Sequence, residues 1–225
     1  MTPDDGIALA QVLPEAAPEV SYQGAITSAL AERRASLDSA LETLTERAHI
    51  LARVATLLVE TLRSGRKVLV TGNGGSAAEA QHFASELVGR FKRERAPYAA
   101  LALTTDSSIL TAVANDYGYR DVFARQILAL GQSGDLLIAF STSGQSENLL
   151  RAAQACRQRM MRVVAVTGER ASRLERAADV TIHAPLVDTA CIQELHMAIT
   201  HILCDIAETE LSTSASDGAR KRVAH

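Results

Sequence analysis

His82 and Glu86 stand four residues apart in the stretch VLVTGNGGSAAEAQHFASE, just after a glycine-rich turn. At i and i+4 on a helix, two side chains share one face. An imidazole and a carboxylate therefore lie together, near backbone N–H groups suited to holding an anion. The pair points to acid/base chemistry on a phosphorylated small molecule, with a metal as a further option. Taken alone, a surface pair worth a few tenths of a kcal/mol is the simpler reading. A second stretch, LLIAF followed by STSGQSEN, sets Ser141, Thr142, Ser143 and Ser146 around Gly144, just ahead of a helical pattern. Hydroxyls at a helix N-terminus make a phosphate cradle without a Walker-type lysine. The plainer alternative is a serine-rich turn with one N-cap, and the phosphate reading is preferred. A third stretch, DTACIQELHMAITHILCDIAE, places Gln193, Glu194, His196 and His201 among apolar residues. Glu194 and His196 are expected to face solvent. His201, between Ile199 and Ile202, is expected to be buried, as a functional group or as a satisfied core histidine.

The elements that carry these residues follow from periodicity. Short apolar runs at 67–71, 98–103, 135–140, 162–166 and 179–183 alternate with helical patterns at about 76–91, 119–130, 146–159 and 190–210. Near-continuous apolar strands separated by helices imply a parallel sheet covered on both faces. The fold class is α/β, a single doubly wound, five-stranded parallel sheet of flavodoxin-like type. Ligands of such sheets bind beyond the carboxyl ends of the strands. That is where the turn after VLVT and the serine loop after LLIAF fall, with Ser76 expected to cap the helix after the first. Ahead of the sheet, residues 22–64 repeat leucine at three- and four-residue steps, as one bent helix or a helical pair, and Gly65 supplies a stop. A helix of this kind often packs against a second subunit. Residues 1–21 read as a flexible lead, 65–210 as the main domain and 211–225 as a flexible tail.

Composition narrows the function. The formal net charge of −3 and an aromatic content of 4% without Trp argue against nucleic acid or a membrane surface as a partner. No basic residue precedes Arg33, so the lead does not read as a secretory signal. No apolar run approaches the ~20 residues needed to span a bilayer. Cys156, Cys191 and Cys204 show neither disulfide nor zinc-finger spacing, and are expected to be reduced, buried thiols of a cytoplasmic protein. Gly72, Gly74 and Ala77 also satisfy a loose dinucleotide pattern. Asp106 lies about 30 positions beyond them, however, later than the ~20 such a site expects.

Taken together, GNGGSAAEAQHFASEL, AVANDYGYRDVFARQI, STSGQSEN and IQELHMAITHILC resemble the phosphoheptose isomerases of the sugar isomerase (SIS) fold, over about residues 22–210. The resemblance implies conversion of sedoheptulose 7-phosphate to D-glycero-D-manno-heptose 7-phosphate through a cis-enediol, the first step towards ADP-heptose for bacterial lipopolysaccharide. It implies Glu86 as general base and His201 as its acid/base partner. One zinc per subunit is implied on His82, Glu86, Gln193 and His201. Substrate contacts are implied at Asn73, Gly74, Gly75, Ser76, Glu86, Arg90, Asn115, Asp116, Ser141, Thr142, Ser143, Ser146 and Gln193. A cytoplasmic homotetramer with sites near subunit interfaces is implied as well. Gln193 and His201 are eight positions apart, ~12 Å along one straight helix. They meet one metal only by leaning together, by an irregular helix start, or from different subunits. Ala190 and Cys191 stand where relatives often carry polar or basic side chains. Two rival readings remain, a sugar-phosphate enzyme or sensor acting on a hexose or hexosamine phosphate, and a non-enzymatic SIS protein that binds the replication initiator. The second group lacks the carboxylate and the last-helix histidine, so Glu86 and His201 favour the enzyme.

Overall fold

The computed structural model describes residues 19–222, with side chains inside the terminal helices described from 22 to 212; most of the expected lead lies outside the described residues. The apolar runs form five parallel strands, β1 (Val68–Thr71), β2 (Ala100–Ala102), β3 (Leu136–Ser141), β4 (Arg162–Gly168) and β5 (Val180–Ala184). They are arranged in the order β2-β1-β3-β4-β5, pairing for example Val70 with Ile138 and Ile138 with Val164. All six residues of β3 are buried, as a central strand covered on both faces requires.

Two helical layers cover the sheet. On one face lie α2 (Ala48–Arg63), α3 (Gly75–Val88) and α7 (Thr189–Arg222), around Leu58, Val70, Phe83, Ile138, Val164 and Leu203. On the other lie α5 (Val122–Leu130) and α6 (Glu147–Gln158), around Leu69, Phe123, Leu137, Leu149 and Val163. The chain moves outward in opposite directions from β1 and β3, so their carboxyl ends flank the crevice where ligands bind in sheets of this order.

The N-terminal helical pattern resolves as a pair, α1 (Glu19–Glu46) and α2, broken at Arg47. Leu51, Val54, Leu58 and Val59 of α2 are buried in the domain's own core, while Tyr22, Ile26, Leu30 and Leu41 of α1 are exposed. The stop after α2 is a Schellman turn. Gly65 N–H donates to Leu62 O and Arg66 N–H to Thr61 O, with Gly65 at φ +73. The stretch from 211 keeps helical backbone to Arg222; it contains no Pro and a single Gly to end the helix.

One helix went unanticipated, α4 (Ser107–Tyr117), which fully buries none of its residues but lays Leu110, Val113 and Ala114 half-buried against the second core. Its signal was Asp106, whose carboxylate accepts from Ile109 N–H at the N-cap. That engagement removes Asp106 as a partner for a dinucleotide ribose. The three cysteines are free and buried. Burial pushes the Cys156 thiol up to about 12 and that of Cys204 upward as well, with nearby carboxylates adding to both. Among the described residues no helix is long and apolar enough to cross a membrane.

Gly65 has open space around its α-carbon, so an added methyl group there meets only the backbone penalty of the left-handed conformation. Gly65→Ala is expected to lower the stability of the fold by about 1–2 kcal/mol, read from the urea midpoint with the circular dichroism of the native state unchanged. An unmoved midpoint contradicts this account of the helix stop.

Candidate functional site

The first half of the site forms at the carboxyl ends of β1 and β3. Asn73, Gly75, Ser76, Phe140, Ser141, Thr142, Ser143, Ser146, Thr189 and Gln193 line a cavity of about 260 Å³. The N-termini of α3 and α6 both open on it, each bringing the positive end of a helix dipole. The serine loop is held by its own backbone. Gly144 N–H donates to Ser141 Oγ, Gly168 N–H to Thr142 O, and Leu174 N–H to Gly144 O. Ser146 is the N-cap of α6 but its hydroxyl makes no capping bond, so that hydroxyl is available to a ligand. Ser76 is not a cap. Gly74 holds that position and Ser76 lies buried inside the first turn of α3.

Asn73 is fixed by groups that sequence reasoning missed. It exchanges two hydrogen bonds with the side-chain amide of Asn148, at 3.0 and 2.8 Å, and accepts from the Tyr119 hydroxyl at 3.1 Å. Asn148 sits in the first turn of α6, at the end of the STSGQSEN stretch, and that position was the only hint of it.

The second half is a ladder of polar pairs where α3 packs on α7. Gly75 lies beneath the Gln193 amide, so closely that a Cβ there would stand 2.3 Å from Nε2. One turn on, Glu79 Oε2 meets His196 Nδ1 at 3.3 Å, and His196 Nε2 faces Thr167 O at 3.4 Å. His196 is 0% and Glu79 5% exposed, which corrects the expectation that His196 faces solvent. Its partner lies 117 residues away and leaves no local pattern. Glu194, by contrast, is half-buried and pairs with Arg33 of α1. Further along, His82 Nε2 stands 2.9 Å from His201 Nε2 and 3.5 Å from Glu86 Oε1. The Phe91 ring stacks on His201, with centroids 5.3 Å apart at 21°. One chain thus brings His82, Glu86 and His201 into a single half-buried cluster.

Other expected residues are not drawn in. Asn115 and Asp116 lie exposed at the end of α4 and bond each other. Arg90 is exposed and leans towards Glu94 at 3.8 Å. Gln193 is a rung of the ladder two turns away from His201, over Gly75, and in the same chain it does not join the His82–Glu86–His201 cluster.

Asp188 caps α7 by accepting from Cys191 N–H at 3.0 Å. That backbone bond, with help from the Cys191 side chain, holds its carboxyl below the usual range. Glu208 further along α7 is fully buried. Burial alone would raise its carboxyl, but N–H donors from Phe91, Lys92 and Arg93 and the Arg95 charge bring it below the ordinary value.

The donor set of the cluster, two imidazole nitrogens and a carboxylate oxygen, is of the kind zinc takes. Among the described residues no group of three or more such side chains already stands as a metal site. The nitrogens are at hydrogen-bond spacing, closer than the about 3.3 Å between two donors on one tetrahedral zinc with 2.0–2.1 Å bonds. A few tenths of an ångström of opening admits an ion, so the residues fit.

Known proteins match most of this chain. The SIS domain family matches residues 32–168. The phosphoheptose isomerase of Thiobacillus denitrificans is 50% identical over 181 residues, 79% of this chain and 92% of that protein. That of Helicobacter hepaticus is 49% identical over 160 residues, 71% of this chain and 82% of that one. The solved structure of the phosphoheptose isomerase from Neisseria gonorrhoeae superposes with a TM-score of 0.76 at 39% identity, covering 84% of this chain and 99% of that chain.

The contact between Gly75 and Gln193 yields a test. Gly75→Ala is expected to push the Gln193 amide off the cavity and weaken binding of a sugar phosphate by about tenfold, the scale of one lost hydrogen bond. Isothermal titration measures this, and unchanged affinity removes Gln193 from the binding surface.

Proposed function

The chain belongs to the phosphoheptose isomerase family of SIS-domain proteins, and we propose that it interconverts sedoheptulose 7-phosphate and D-glycero-D-manno-heptose 7-phosphate at a site shared by two subunits. The observation that carries the chemistry is the meeting of Glu86, His82 and His201. An aldose–ketose interconversion moves one proton between adjacent carbons and another between their oxygens. The Glu86 carboxylate takes a proton from C1 of the ketose while His201 donates one to the carbonyl oxygen at C2, giving a cis-enediol. Glu86 then returns its proton to C2 as His201 withdraws one from the oxygen at C1, and the aldose results. His82, between the two, holds both groups within reach of one substrate. The Phe91 ring limits water at one face of His201.

Zinc is part of the proposal. His82, Glu86 and His201 would hold it, and when bound it supplies positive charge that polarises the substrate oxygens. Gln193, the fourth residue of the expected set, belongs to the other half of the site.

Sharing between subunits follows from distance. Gly75 and Glu86 are eleven residues apart on α3, about 16 Å of helical rise, farther than a seven-carbon sugar phosphate reaches from a docked phosphate to C1. A cradle built from Ser141, Ser143, Ser146 and the start of α3 therefore serves the acid/base cluster of a neighbouring copy, and brings Gln193 to it. The exposed apolar stripe Tyr22, Ile26, Leu30 and Leu41 on α1 offers a surface for that assembly, with a homotetramer as the proposed state. A phosphorylated substrate and three unpaired, buried thiols favour a cytoplasmic location. Initiator binding without catalysis has no support in the relatives found, whose names are those of isomerases.

Incubation with sedoheptulose 7-phosphate is expected to yield the aldose. Glu86→Gln is expected to lower turnover by about 10²–10⁴-fold with the fold intact; near-normal turnover ends the role of Glu86 as base. Shared sites are tested by mixing. A Ser141→Ala/Ser143→Ala double variant and a Glu86→Gln variant, each inactive alone, are expected to regain activity when unfolded and refolded together. No recovery means that each chain carries its own complete site.

A further inference from the structure

Between α3 and β2 the chain runs as an irregular strap, residues 89–99, with no regular pairing of its own. It is fastened to α7 by one carboxylate. Glu208, 0% exposed, accepts from Phe91 N–H at 2.7 Å, Lys92 N–H at 2.8 Å, Arg93 N–H at 3.0 Å and Arg95 Nε at 3.0 Å. Arg95 in turn closes the end of α3. Its Nη2 donates to Glu86 O at 2.7 Å, and its Nη1 to Leu87 O at 2.9 Å and Gly89 O at 3.2 Å. These carbonyls have no helical partner of their own beyond the last turn. Lys92 and Arg93 add surface pairs to Asp205 at 2.9 Å each.

Two of the contacts this clamp makes lead to the acid/base cluster. Through Arg95 it fixes the backbone of Glu86. Through the Phe91 N–H it sets the ring that stacks on His201, whose other neighbour is the edge of His82 at 5.2 Å. Glu208 and His201 sit on one helix, seven residues apart and so on the same face.

We propose that Glu208 and Arg95 are positioning residues for the isomerisation: a buried carboxylate–guanidinium clamp that locks the end of α3 and the strap onto α7, and so holds Glu86 and the His201 ring in their working geometry. The inference rests on the acid/base reading of those two residues. Neither clamp residue touches substrate. An alternative role, plain fold stability, makes a different prediction, because a matching carboxylate exists where no chemistry is near. Asp135, just ahead of the central strand β3, is likewise buried and accepts from Lys67 N–H at 3.0 Å, Gln132 N–H at 2.8 Å and Lys67 Nζ.

The test compares Glu208→Gln with Asp135→Asn. The full-length protein is examined below both melting temperatures, by steady-state kinetics with sedoheptulose 7-phosphate and by the imidazole Cε1–H resonance of His201, assigned from its loss in His201→Gln. Glu208→Gln places an amide against the strap's N–H donors. It is expected to lower kcat by on the order of tenfold to a hundredfold, the effect of a slightly misplaced catalytic group, with KM little changed and the His201 resonance shifted. Asp135→Asn is expected to lower only the melting temperature. If Glu208→Gln does not fold, Phe91→Leu leaves the clamp in place but removes the ring it delivers, and is expected to show the same kcat loss and shift. The proposal falls if the tested clamp or strap variant keeps both kcat and the His201 resonance at wild-type values. A wild-type protein without turnover refutes the isomerase reading instead, and the resonance still judges the clamp.

Discussion

The register between α3 and α7 is the constraint on which the site depends. Glu86 and His82 are held on one helix, but His201 comes from 119 positions along the chain from His82, and no local interaction brings it there. Three rungs do so, Gly75 under Gln193, Glu79 against His196, and His82 against His201. They progress in step along both helices, so a slip of one turn, 5.4 Å, would part all three at once. The absence of a side chain at Gly75 and the fully buried histidine at 196 belong to this fit as much as the reacting groups do. Apolar packing of Phe83, Ile199 and Leu203 supplies the adhesion between the helices; the polar rungs choose the alignment.

The sheet imposes a second constraint. Its order, with the reversal between β1 and β3, assembles two helix N-termini at one crevice, and backbone N–H groups there are rigid donors suited to an anion whose charge does not change during reaction. The proposed acid/base groups lie at the other end of α3, where side chains of two helices meet. On the proposed reading, binding and chemistry sit at opposite ends of one 14-residue helix. That separation suits a symmetric assembly, in which one copy's binding end meets another's reacting end, better than it suits an isolated chain.

Much of this was legible in the sequence, for physical reasons. Strands buried on both faces give continuous apolar runs, and β1, β3, β4 and β5 fall within one to two residues of their expected bounds. The pairing of His82 with Glu86 is local and so readable from spacing. The serine loop was readable as a strand-to-helix junction because it lies between a continuous apolar run and a helical pattern. What could not be read depends on distant partners. His196 looked like a solvent-facing residue until Glu79 was placed beside it, and Asn148 looked like an ordinary helix residue until Asn73 met it. α4 fully buries nothing and left only a short trace, Leu110, Val113 and Ala114 on one face.

Glu208 and Arg95 show why charge is a poor guide to exposure in a sequence. Both lie among acidic and basic neighbours, Asp205 and Glu210 for one, Lys92, Arg93 and Glu94 for the other, and the simplest reading of such runs is a solvated face. Burying a lone carboxylate is costly unless hydrogen bonds and an opposite charge surround it. Here four donors do so, and three of them are backbone N–H groups of a strap that has no sheet or helix of its own to satisfy them. The strap needs an acceptor and the carboxylate needs donors, so each makes the other's burial tolerable. The same exchange draws the strap down over α7 and seats Phe91 on His201. An irregular segment is held as a fixed wall beside His201 because three of its backbone N–H groups find their acceptor in one buried carboxylate.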